Sequence, residues 1–283
     1  MKTLNTLVTD VYDLLEKGIV LEEADTKEVV DNFKKLLTER LAPKTTQGVL
    51  RMSNLGSPDR QLWLAVNKPE KREKIDGQTL LKFLYGDLVE LLLLFLVKKA
   101  GHTVTHEQHE VDINGVKGHP DGIIDGVLTD VKSASGYGMN KFERHSLEKD
   151  DPFFYLDQLF GYLEALKDEP DLRVKSEAAF LAVDKSSGKI VIDSYKKTSD
   201  SKDIQALVKQ KQAIVSGPEP KELCYPLEPD GSSGNMKLPL PCSYCGFKKE
   251  CYPDLRVFLY SGGPRYLAKV VREPKDVPEV KVK

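Results

Sequence analysis

One long apolar segment limits the folds open to this chain more than any other feature. Across Thr79–Ala100, apolar residues fall on nearly every side of a helical projection, and Leu91–Val97 contains no polar residue. A helix that is apolar all round is buried in a core. Asp87 and Glu90 interrupt the segment, which argues against a membrane span. We therefore expect a buried helix around which a larger core assembles.

Glu90 is unusual because its carboxylate falls on an apolar face of this helix. The side chains that share its side at helical spacing are Phe83, Gly86, Leu93, Leu94 and Val97. A lone buried charge is costly unless something compensates it. One compensation is a metal ion shared with Asp121 and Asp130, and the other is a lysine or arginine of the core. Gly86 would let another element approach closely.

Two short acidic motifs follow the helix. Pro120-Asp121 precedes a glycine-bounded turn and an apolar run, which leads to Asp130-Val131-Lys132. This pattern predicts a short hairpin that ends in a buried strand. Because alternate residues of a strand share a face, Asp130 and Lys132 are expected to point together, with Val131 towards the core.

These residue types suit one kind of chemistry. The carboxylates of Asp121 and Asp130 are hard oxygen ligands for Mg²⁺ or Mn²⁺, and the carbonyl of Val131 is a candidate further ligand. The ammonium group of Lys132 would orient an attacking water molecule and neutralise phosphate charge. The pattern therefore suggests phosphodiester hydrolysis. The alternative is a solvated ion pair at the end of a strand.

A second candidate pair lies on the helix that follows Asp150-Asp151-Pro152, where an acidic cap and a proline mark a helix start. Gln158 and Tyr162 are four residues apart and are expected on one flank. They are predicted to face away from the core stripe of Leu156, Leu159, Phe160 and Leu163. There an amide and a phenol would hold a phosphate or a base edge. The alternative is an ordinary surface pair.

Candidate DNA contacts lie mainly in the segment Ser133–Lys149, which is expected to be a loop that contains glycine and serine. Its basic and aromatic side chains would hold a strand by phosphate contacts and stacking, and a mobile solvent loop is the alternative. The candidate DNA-binding residues are Arg60, Ser133, Tyr137, Lys141 and Arg144.

In their order and spacing, the candidate residues resemble the RecB-like branch of the PD-(D/E)xK nuclease superfamily. This branch includes the AddB nuclease domain, CRISPR-associated RecB-like exonucleases and many tailed-phage exonucleases. The resemblance covers about residues 49 to 262. Glu90 is similar to the acidic residue of the first motif, and Asp121 to that of the second. Asp130 with Lys132 resembles the third motif, and Gln158 with Tyr162 the Gln-x-x-x-Tyr signature.

The resemblance implies a restriction-endonuclease-like fold and a Mg²⁺- or Mn²⁺-dependent deoxyribonuclease that degrades DNA from its ends. RecB and its nearest relatives use a histidine in the first motif, whereas the matching position here is Glu90, as in λ-type phage exonucleases. His119 is therefore not assigned as a ligand. A structure-selective or nicking endonuclease would share every catalytic residue. A non-catalytic DNA- or partner-binding metalloprotein is the alternative from a different class.

Four cysteines form the other strong pattern, with the spacing C-x17-C-x2-C-x5-C and none before Cys224. Their confinement to one turn-rich segment favours a shared metal that orders it. A four-thiolate site suits zinc or an iron–sulfur cluster. Two disulfides are the alternative, but no signal peptide is recognised, so a reducing cytoplasm is expected, that of the host if the chain is phage-encoded. The expected ligands are Cys224, Cys242, Cys245 and Cys251.

The family resemblance extends to these cysteines. RecB-like members with a cluster close it with three C-terminal cysteines spaced C-x2-C-x5-C, which matches Cys242, Cys245 and Cys251. Their fourth cysteine lies upstream of the nuclease core, where this chain has Ser57 in a similar segment. Cys224 then becomes the natural fourth ligand. The resemblance slightly favours a 4Fe–4S cluster over zinc.

Composition is typical of a soluble enzyme. The 283 residues are 40% hydrophobic, enough for one sizeable core, and the net charge of −2 argues against a passive DNA-coating protein. We expect an α/β fold, a mixed sheet flanked by helices, that binds DNA and no membrane. The predicted domains are an N-terminal helical extension (1–48), the nuclease core (49–216) and a C-terminal four-cysteine metal module packed on the core (217–283).

Overall fold

The computed structural model describes residues 2–42, 47–134 and 136–280. The other positions, which belong to the predicted N-terminal extension, the DNA-binding loop and the C-terminal module, lie outside the described residues. The chain divides into two compact units. The first contains residues 1–45, 51–56 and 76–209, and the second contains residues 46–50, 57–75 and 210–283.

The described residues contain the following helices and strands. The helices are α1 (Leu4–Lys17), α2 (Glu23–Leu41), α3 (Asp59–Asn67), α4 (Gly77–Lys99), α5 (Tyr137–Glu143), α6 (Tyr155–Ala165), α7 (Ile204–Ser216), α8 (Leu240–Tyr244) and α9 (Lys248–Cys251). The strands are β1 (Val104–Thr105), β2 (Val111–Ile113), β3 (Val116–Gly118), β4 (Gly122–Ile124), β5 (Val127–Ala134), β6 (Glu177–Asp184), β7 (Ile190–Lys196), β8 (Glu228–Pro229), β9 (Met236–Lys237), β10 (Arg256–Tyr260), β11 (Gly263–Lys269) and β12 (Glu279–Val280).

The first unit is built on a mixed sheet. Its strand order over the described residues is β1-β4-β5-β6-β7. Strands β5 and β6 are parallel, and the other neighbouring pairs are antiparallel. In this register Asp130 pairs with Phe180, which in turn pairs with Asp193. The predicted α/β class with a mixed sheet flanked by helices is confirmed.

The predicted hairpin is present as β4 and β5. Its turn consists of Asp125 and Gly126, both with positive φ, of 49° and 82°. Two such residues form the tight turn whose twist matches that of paired strands, and aspartate followed by glycine favours it. Val131 is buried, with 6% of its surface exposed, on the sheet face that packs against α1 and α4. The predicted inward direction of Val131 is therefore correct.

The prediction that the long apolar helix is buried along its whole length was wrong for its first half. Asp76 caps the start of α4 by accepting a hydrogen bond from the backbone N–H of Thr79. Leu93, Leu94 and Val97 are buried, whereas Phe83 is 53% exposed. The apolar pattern continues over the whole helix, but only its second half joins the core formed with α1 and the sheet. No helix among the described residues combines the length and apolar character that crossing a membrane requires.

The segment after β5 is more ordered than expected. It contains α5 (Tyr137–Glu143), where the sequence predicted a loop across Ser133–Lys149. Met139 and Phe142 stabilise this helix, because they are spaced to share one helix face and both are buried. Phe142 packs against Phe180 of β6, with ring centroids 5.5 Å apart.

The second unit has its own small sheet, with the order β12-β10-β11-β9-β8 over the described residues. It also contains α3, α8 and α9. The predicted three-domain division stays a prediction. The two units differ from it in that α1 and α2 belong to the same unit as the sheet of β4 to β7, and residues 57–75 belong with the cysteines.

Candidate active site

Two elements of the hairpin bring Asp121 and Asp130 together. Asp121 immediately precedes β4, and Asp130 lies in the middle of β5. The carboxylate oxygen Oδ2 of Asp121 accepts a hydrogen bond of 2.6 Å from the backbone N–H of Val131. Asp121 and Asp130 are buried, with 8% and 2% of their surface exposed. The hairpin therefore fixes both carboxylates, as the sequence predicted.

Gln108 connects these carboxylates to α4. Its amide Nε2 donates to Oε1 of Glu90 at 2.8 Å and to Oδ1 of Asp121 at 3.0 Å. The backbone of Gln108 is left-handed, with φ of 51°, and its N–H donates to the carbonyl of Pro120. The sequence analysis missed Gln108, because it lies outside any motif and reaches the site through a turn that only the fold reveals.

Burial and the nearby charge of Asp130 raise the pKa values of Asp121 and Glu90. Burial raises the pKa of Asp121 well above its ordinary value, and the charges of Asp130 and Glu90 act in the same direction. Burial also raises the pKa of Glu90 to about 7, with contributions from Asp130 and Asp87. Like charges that share a buried site disfavour each other's ionisation. The site therefore favours an added positive charge.

Lys132 supplies part of that charge. Its Nζ lies 2.5 Å from Oδ2 of Asp130, so the two side chains share a face as predicted. Burial alone would lower the pKa of Lys132, but the attraction of Asp130 and Asp121 outweighs burial and raises it. The ammonium group also lies 4.9 Å from the ring centroid of Tyr155 on α6, a residue that the sequence analysis missed. Lys132 is thus held between a carboxylate and an aromatic face.

The donor set fits a divalent metal in its chemistry. Three carboxyl groups share this place with one ammonium group, so their full ionisation would leave an excess of negative charge. Oδ2 of Asp130 is buried and has no partner with hydrogen-bond geometry, although it is in ion-pair contact with Lys132. Within the described residues, no three His, Cys, Asp or Glu side chains are spaced as a metal shell. Gln108 and Lys132 instead contact the carboxylate oxygens that a metal would use.

Close packing of α4 against β5 brings Glu90 to this place. A Cβ atom on Gly86 would lie 3.2 Å from Oγ of Ser133, which is tighter than ordinary contact. The expectation that Gly86 lets another element approach is therefore confirmed. The alternative for Glu90 was an ion pair with a lysine or arginine of the core. Among the described residues Glu90 forms no such ion pair, and its carboxylate accepts a hydrogen bond from Gln108.

Gln158 and Tyr162 lie on α6, and Nε2 of Gln158 donates to the hydroxyl of Tyr162 at 3.1 Å. The prediction that both lie on a flank away from the core was wrong for Tyr162, which is only 3% exposed. Its ring packs so closely on Gly118 that a Cβ there would lie 2.5 Å from Cε1. Burial raises the pKa of Tyr162, and Asp130 and Asp121 act in the same direction. Tyr162 is therefore a buried neighbour of the carboxylates.

Two of the five candidate DNA-binding residues are already engaged elsewhere. Arg60 belongs to the second unit, where it donates to the carbonyl of Pro220 and pairs with Glu219 at 2.8 Å. Lys141 is buried and pairs with Asp150 at 2.9 Å. The aliphatic stem of Lys141 fits the buried face of α5, which sequence patterns do not reveal for a lysine.

The other three candidates keep surface for a ligand. Tyr137 is 66% exposed and donates its hydroxyl hydrogen to Asp150. Arg144 is exposed, and Ser133 is half-buried beside Gly86. His119 is exposed, and its Nε2 lies 3.9 Å from a carboxylate oxygen of Glu110.

The four cysteines converge in the second unit. Together they line a cavity of about 20 Å³, whose wall also includes Tyr225 and Tyr252. All four are free thiols, so the disulfide alternative finds no support. Burial raises the pKa of Cys242 to about 12, and its cysteine neighbours act in the same direction. The pKa values of Cys224 and Cys245 are also raised, chiefly by burial.

This donor set fits a soft metal, since thiolates prefer zinc or iron–sulfur clusters. Binding would require the thiols to lose their protons, and the charge of the metal would offset the burial that opposes this loss. The described side chains are not spaced as a coordination shell here either. Convergence of the four cysteines is thus observed, whereas the metal remains a prediction.

No family model matches the chain, and no curated protein matches it. Two solved structures are loosely similar. The crystal structure of SSO0001 has 15% sequence identity and a TM-score of 0.42, over 77% of this chain and 92% of that one. An alkaline exonuclease (LHK-Exo) from Laribacter hongkongensis has 16% identity and a TM-score of 0.35, over 65% of this chain and 89% of that one.

Proposed function

We propose that this chain is a metal-dependent deoxyribonuclease of the RecB-like PD-(D/E)xK type that degrades DNA from its ends. One observation carries the proposal. The buried carboxylates of Asp121 and Asp130 and the half-buried carboxylate of Glu90 gather at a site that also holds Lys132. A purely structural role gives no reason to gather three acids whose full ionisation one lysine cannot compensate, whereas a metal-dependent hydrolase uses such a group to hold its metal ion.

Glu90, Asp121, Asp130 and the carbonyl of Val131 would hold one or two Mg²⁺ or Mn²⁺ ions. When bound, such an ion neutralises phosphate charge and makes a coordinated water molecule a better nucleophile. Gln108 would orient Glu90 and Asp121 through its two donated hydrogen bonds. Partners of this kind fix the direction of ligands and tune their affinity.

Lys132 would act next to the attacked phosphate. Its ammonium group is already held by Asp130 and by the ring of Tyr155, so its position costs little ordering when DNA arrives. From there it would orient the attacking water and stabilise charge on the phosphate oxygens. Direct attack by water needs no nucleophilic side chain, which agrees with the residues of this site.

Gln158 and Tyr162 would position the strand beside the carboxylates. Their mutual hydrogen bond leaves the second amide hydrogen of Gln158 to donate to a phosphate oxygen. Ser133, Tyr137 and Arg144 remain the proposed DNA contacts of the first unit. Arg60 and Lys141 are not among these contacts, because both are engaged in ion pairs.

The second unit would carry a structural metal held by Cys224, Cys242, Cys245 and Cys251. The resemblance in spacing favours a 4Fe–4S cluster, and zinc is the alternative. Either would order a segment rich in turns, and neither takes part in hydrolysis. A phage-type role in DNA degradation or recombination fits an enzyme that digests from ends.

The test uses end-labelled linear DNA and covalently closed circular DNA. We expect the linear form to be degraded when Mg²⁺ or Mn²⁺ is present, with no reaction when it is omitted, and the circle to survive. Asp130→Asn should abolish cleavage, whereas Asp168→Asn, a matched change at an exposed aspartate, should not. Cleaved circles would instead indicate an endonuclease, and full activity of Asp130→Asn would refute the catalytic assignment.

A further inference from the structure

A polar surface cleft in the second unit has no part in the proposed hydrolysis. Its volume is about 450 Å³, and it lies between the 230–235 segment and the 271–275 segment. Ser232 and Ser233 contribute hydroxyl groups to it, and Tyr260 contributes an aromatic ring. A cleft of this size is within the range of small-ligand sites. We call it the polar cleft.

One wall of the polar cleft carries a guanidinium group over an aromatic ring. The guanidinium of Arg265 lies 4.1 Å from the ring centroid of Tyr260. Asp230 holds the guanidinium through an ion pair of 2.8 Å, yet 42% of the Arg265 side chain remains exposed. A guanidinium plane fixed in this way is a stacking surface for a nucleobase.

The opposite wall is fixed by Asn235, which is 2% exposed. Its Oδ1 accepts hydrogen bonds from the backbone N–H groups of Val271 and Arg272, at 2.7 and 2.9 Å. Its Nδ2 donates to the carbonyl of Arg272 at 2.8 Å. One buried amide thus makes three hydrogen bonds that tie the 271–275 segment to the turn before β9. The wall is therefore built in advance of any ligand.

The cleft has more unpaired positive charges than unpaired negative charges. Asp230 pairs with Arg265, and Glu273 pairs with Arg256. Arg272 and Lys275 also line the cleft and are exposed. Over the described ranges, no hydrogen bond or ion pair engages either of these two side chains. The cleft therefore presents two uncompensated cations beside a stacking surface.

We propose that the polar cleft binds one nucleotide unit of a single-stranded nucleic acid. Arg272 and Lys275 contact its phosphate, and the base stacks on the exposed face of Arg265. Cations for the backbone combined with planar groups for the bases are the common means of holding single strands. This binding uses none of the carboxylates of the candidate active site, so it can be tested independently of the proposed hydrolysis.

The first experiment measures fluorescence anisotropy of a labelled oligothymidylate over a series of salt concentrations, without divalent ions. The variant Arg272→Gln/Lys275→Gln removes both cations. Its control, Lys209→Gln/Lys221→Gln, removes two exposed lysines outside the cleft. We expect Kd of the cleft variant to rise about 10-fold and its salt slope to fall by about 1.4, since each phosphate contact contributes about 0.7 for single strands.

Identical Kd and slope for the cleft variant and its control would overturn the proposal. The charge-conserving variant Arg272→Lys/Lys275→Arg should bind as the parent does. Failure of this swap to bind, with an unchanged thermal unfolding midpoint, would contradict a phosphate contact based on charge. A denaturing gel run after each titration checks that the probe is intact.

Competitors distinguish the sources of phosphate. A deoxynucleoside monophosphate should displace the probe at lower concentration than inorganic phosphate does, because only the former can stack on Arg265. Arg265→Lys keeps a positive charge beside Asp230 but removes the planar guanidinium group on which the base would stack. It should weaken binding of a normal strand and leave binding of an abasic strand unchanged. Equal competition by both ligands, or equal loss on both strands, would refute the nucleotide assignment.

Discussion

Asp121 accepts a hydrogen bond of 2.6 Å from the backbone N–H of Val131. Strand β5 therefore positions the carboxylate that immediately precedes β4. A backbone donor cannot be removed by mutation of its own side chain. It can also be satisfied by an amide oxygen as well as by a carboxylate oxygen. Charge and position at residue 121 can therefore be tested apart.

Asp121→Asn should keep this hydrogen bond while it removes the charge. We expect DNA cleavage to fall by more than about 100-fold, because a metal ligand is lost. The free energy of unfolding without divalent ions should stay equal or rise, since burial and two neighbouring acids disfavour the Asp121 charge. Cleavage rates and urea titrations measure the two effects. A variant that cleaves normally would exclude Asp121 as a ligand.

Stability without divalent ions should depend on pH through Glu90. Its pKa is raised from 4.5 to about 7, so the folded chain keeps a proton that the unfolded chain releases. The free energy of unfolding should therefore fall, by roughly 1 to 3 kcal/mol, as pH rises from about 4.5 to about 7. Glu90→Gln should reduce this slope, and the slope that remains comes from Asp121, whose pKa is raised as well. An unchanged slope in the variant would contradict the prediction, and urea titrations across this pH range would measure it.

Gln108→Ala tests a positioning residue. Loss of both donated hydrogen bonds should release Glu90 and Asp121 from their present directions. We expect the Mg²⁺ concentration at half-maximal rate to rise by about 10- to 100-fold. The rate at saturating Mg²⁺ should recover most of its original value. An unchanged Mg²⁺ requirement would mean that the amide only fills space.

Cys245→Ser tests the shared cysteine site. If the four thiols hold one metal, protein purified without oxygen should be brown or should contain about one zinc per chain. The variant should lose the metal and unfold at lower temperature, and its activity should fall only as folded protein is lost. Four thiols that titrate freely in native, metal-free and fully active protein would exclude the site.

His102 is a buried residue that we expect to stabilise the fold and to take no part in catalysis. It is 5% exposed, and its two ring nitrogens contact Asp125 at 2.6 Å and Asp10 at 3.2 Å. His102→Phe should destabilise the protein by about 3 kcal/mol, because the carboxylate of Asp125, whose side chain is 6% exposed, loses its partner. His119→Phe at an exposed position should change stability by less than about 0.5 kcal/mol. Chemical denaturation of both variants measures the difference.

Local patterns predicted the parts of the fold that depend on neighbouring residues. Alternation placed Asp130 and Lys132 on one face and Val131 in the core, and Asp125-Gly126 formed the tight turn between the strands. These features depend on residues close in the chain. They are therefore visible in the sequence alone.

Features that depend on distant contacts were missed. Gln108 reaches the carboxylates through a left-handed backbone, and Tyr155 meets Lys132 only because α6 packs beside β5. Arg60 and Lys141 carry the positive charge expected of a phosphate ligand, but each already forms an ion pair with an acidic side chain. An apolar pattern also cannot reveal which half of α4 the core will cover.

The parallel pairing of β5 with β6 sets when the site can exist during protein synthesis. β5 ends at Ala134 and β6 begins at Glu177, and the connection between them carries α6 with Tyr155, Gln158 and Tyr162. Parallel strands cannot be joined by a tight turn, so this pairing waits for the whole crossover. A nascent chain still attached to the ribosome therefore has no assembled site until β6 has emerged. Fragments released before that point would lack the assembled site, although every acidic motif would already be present.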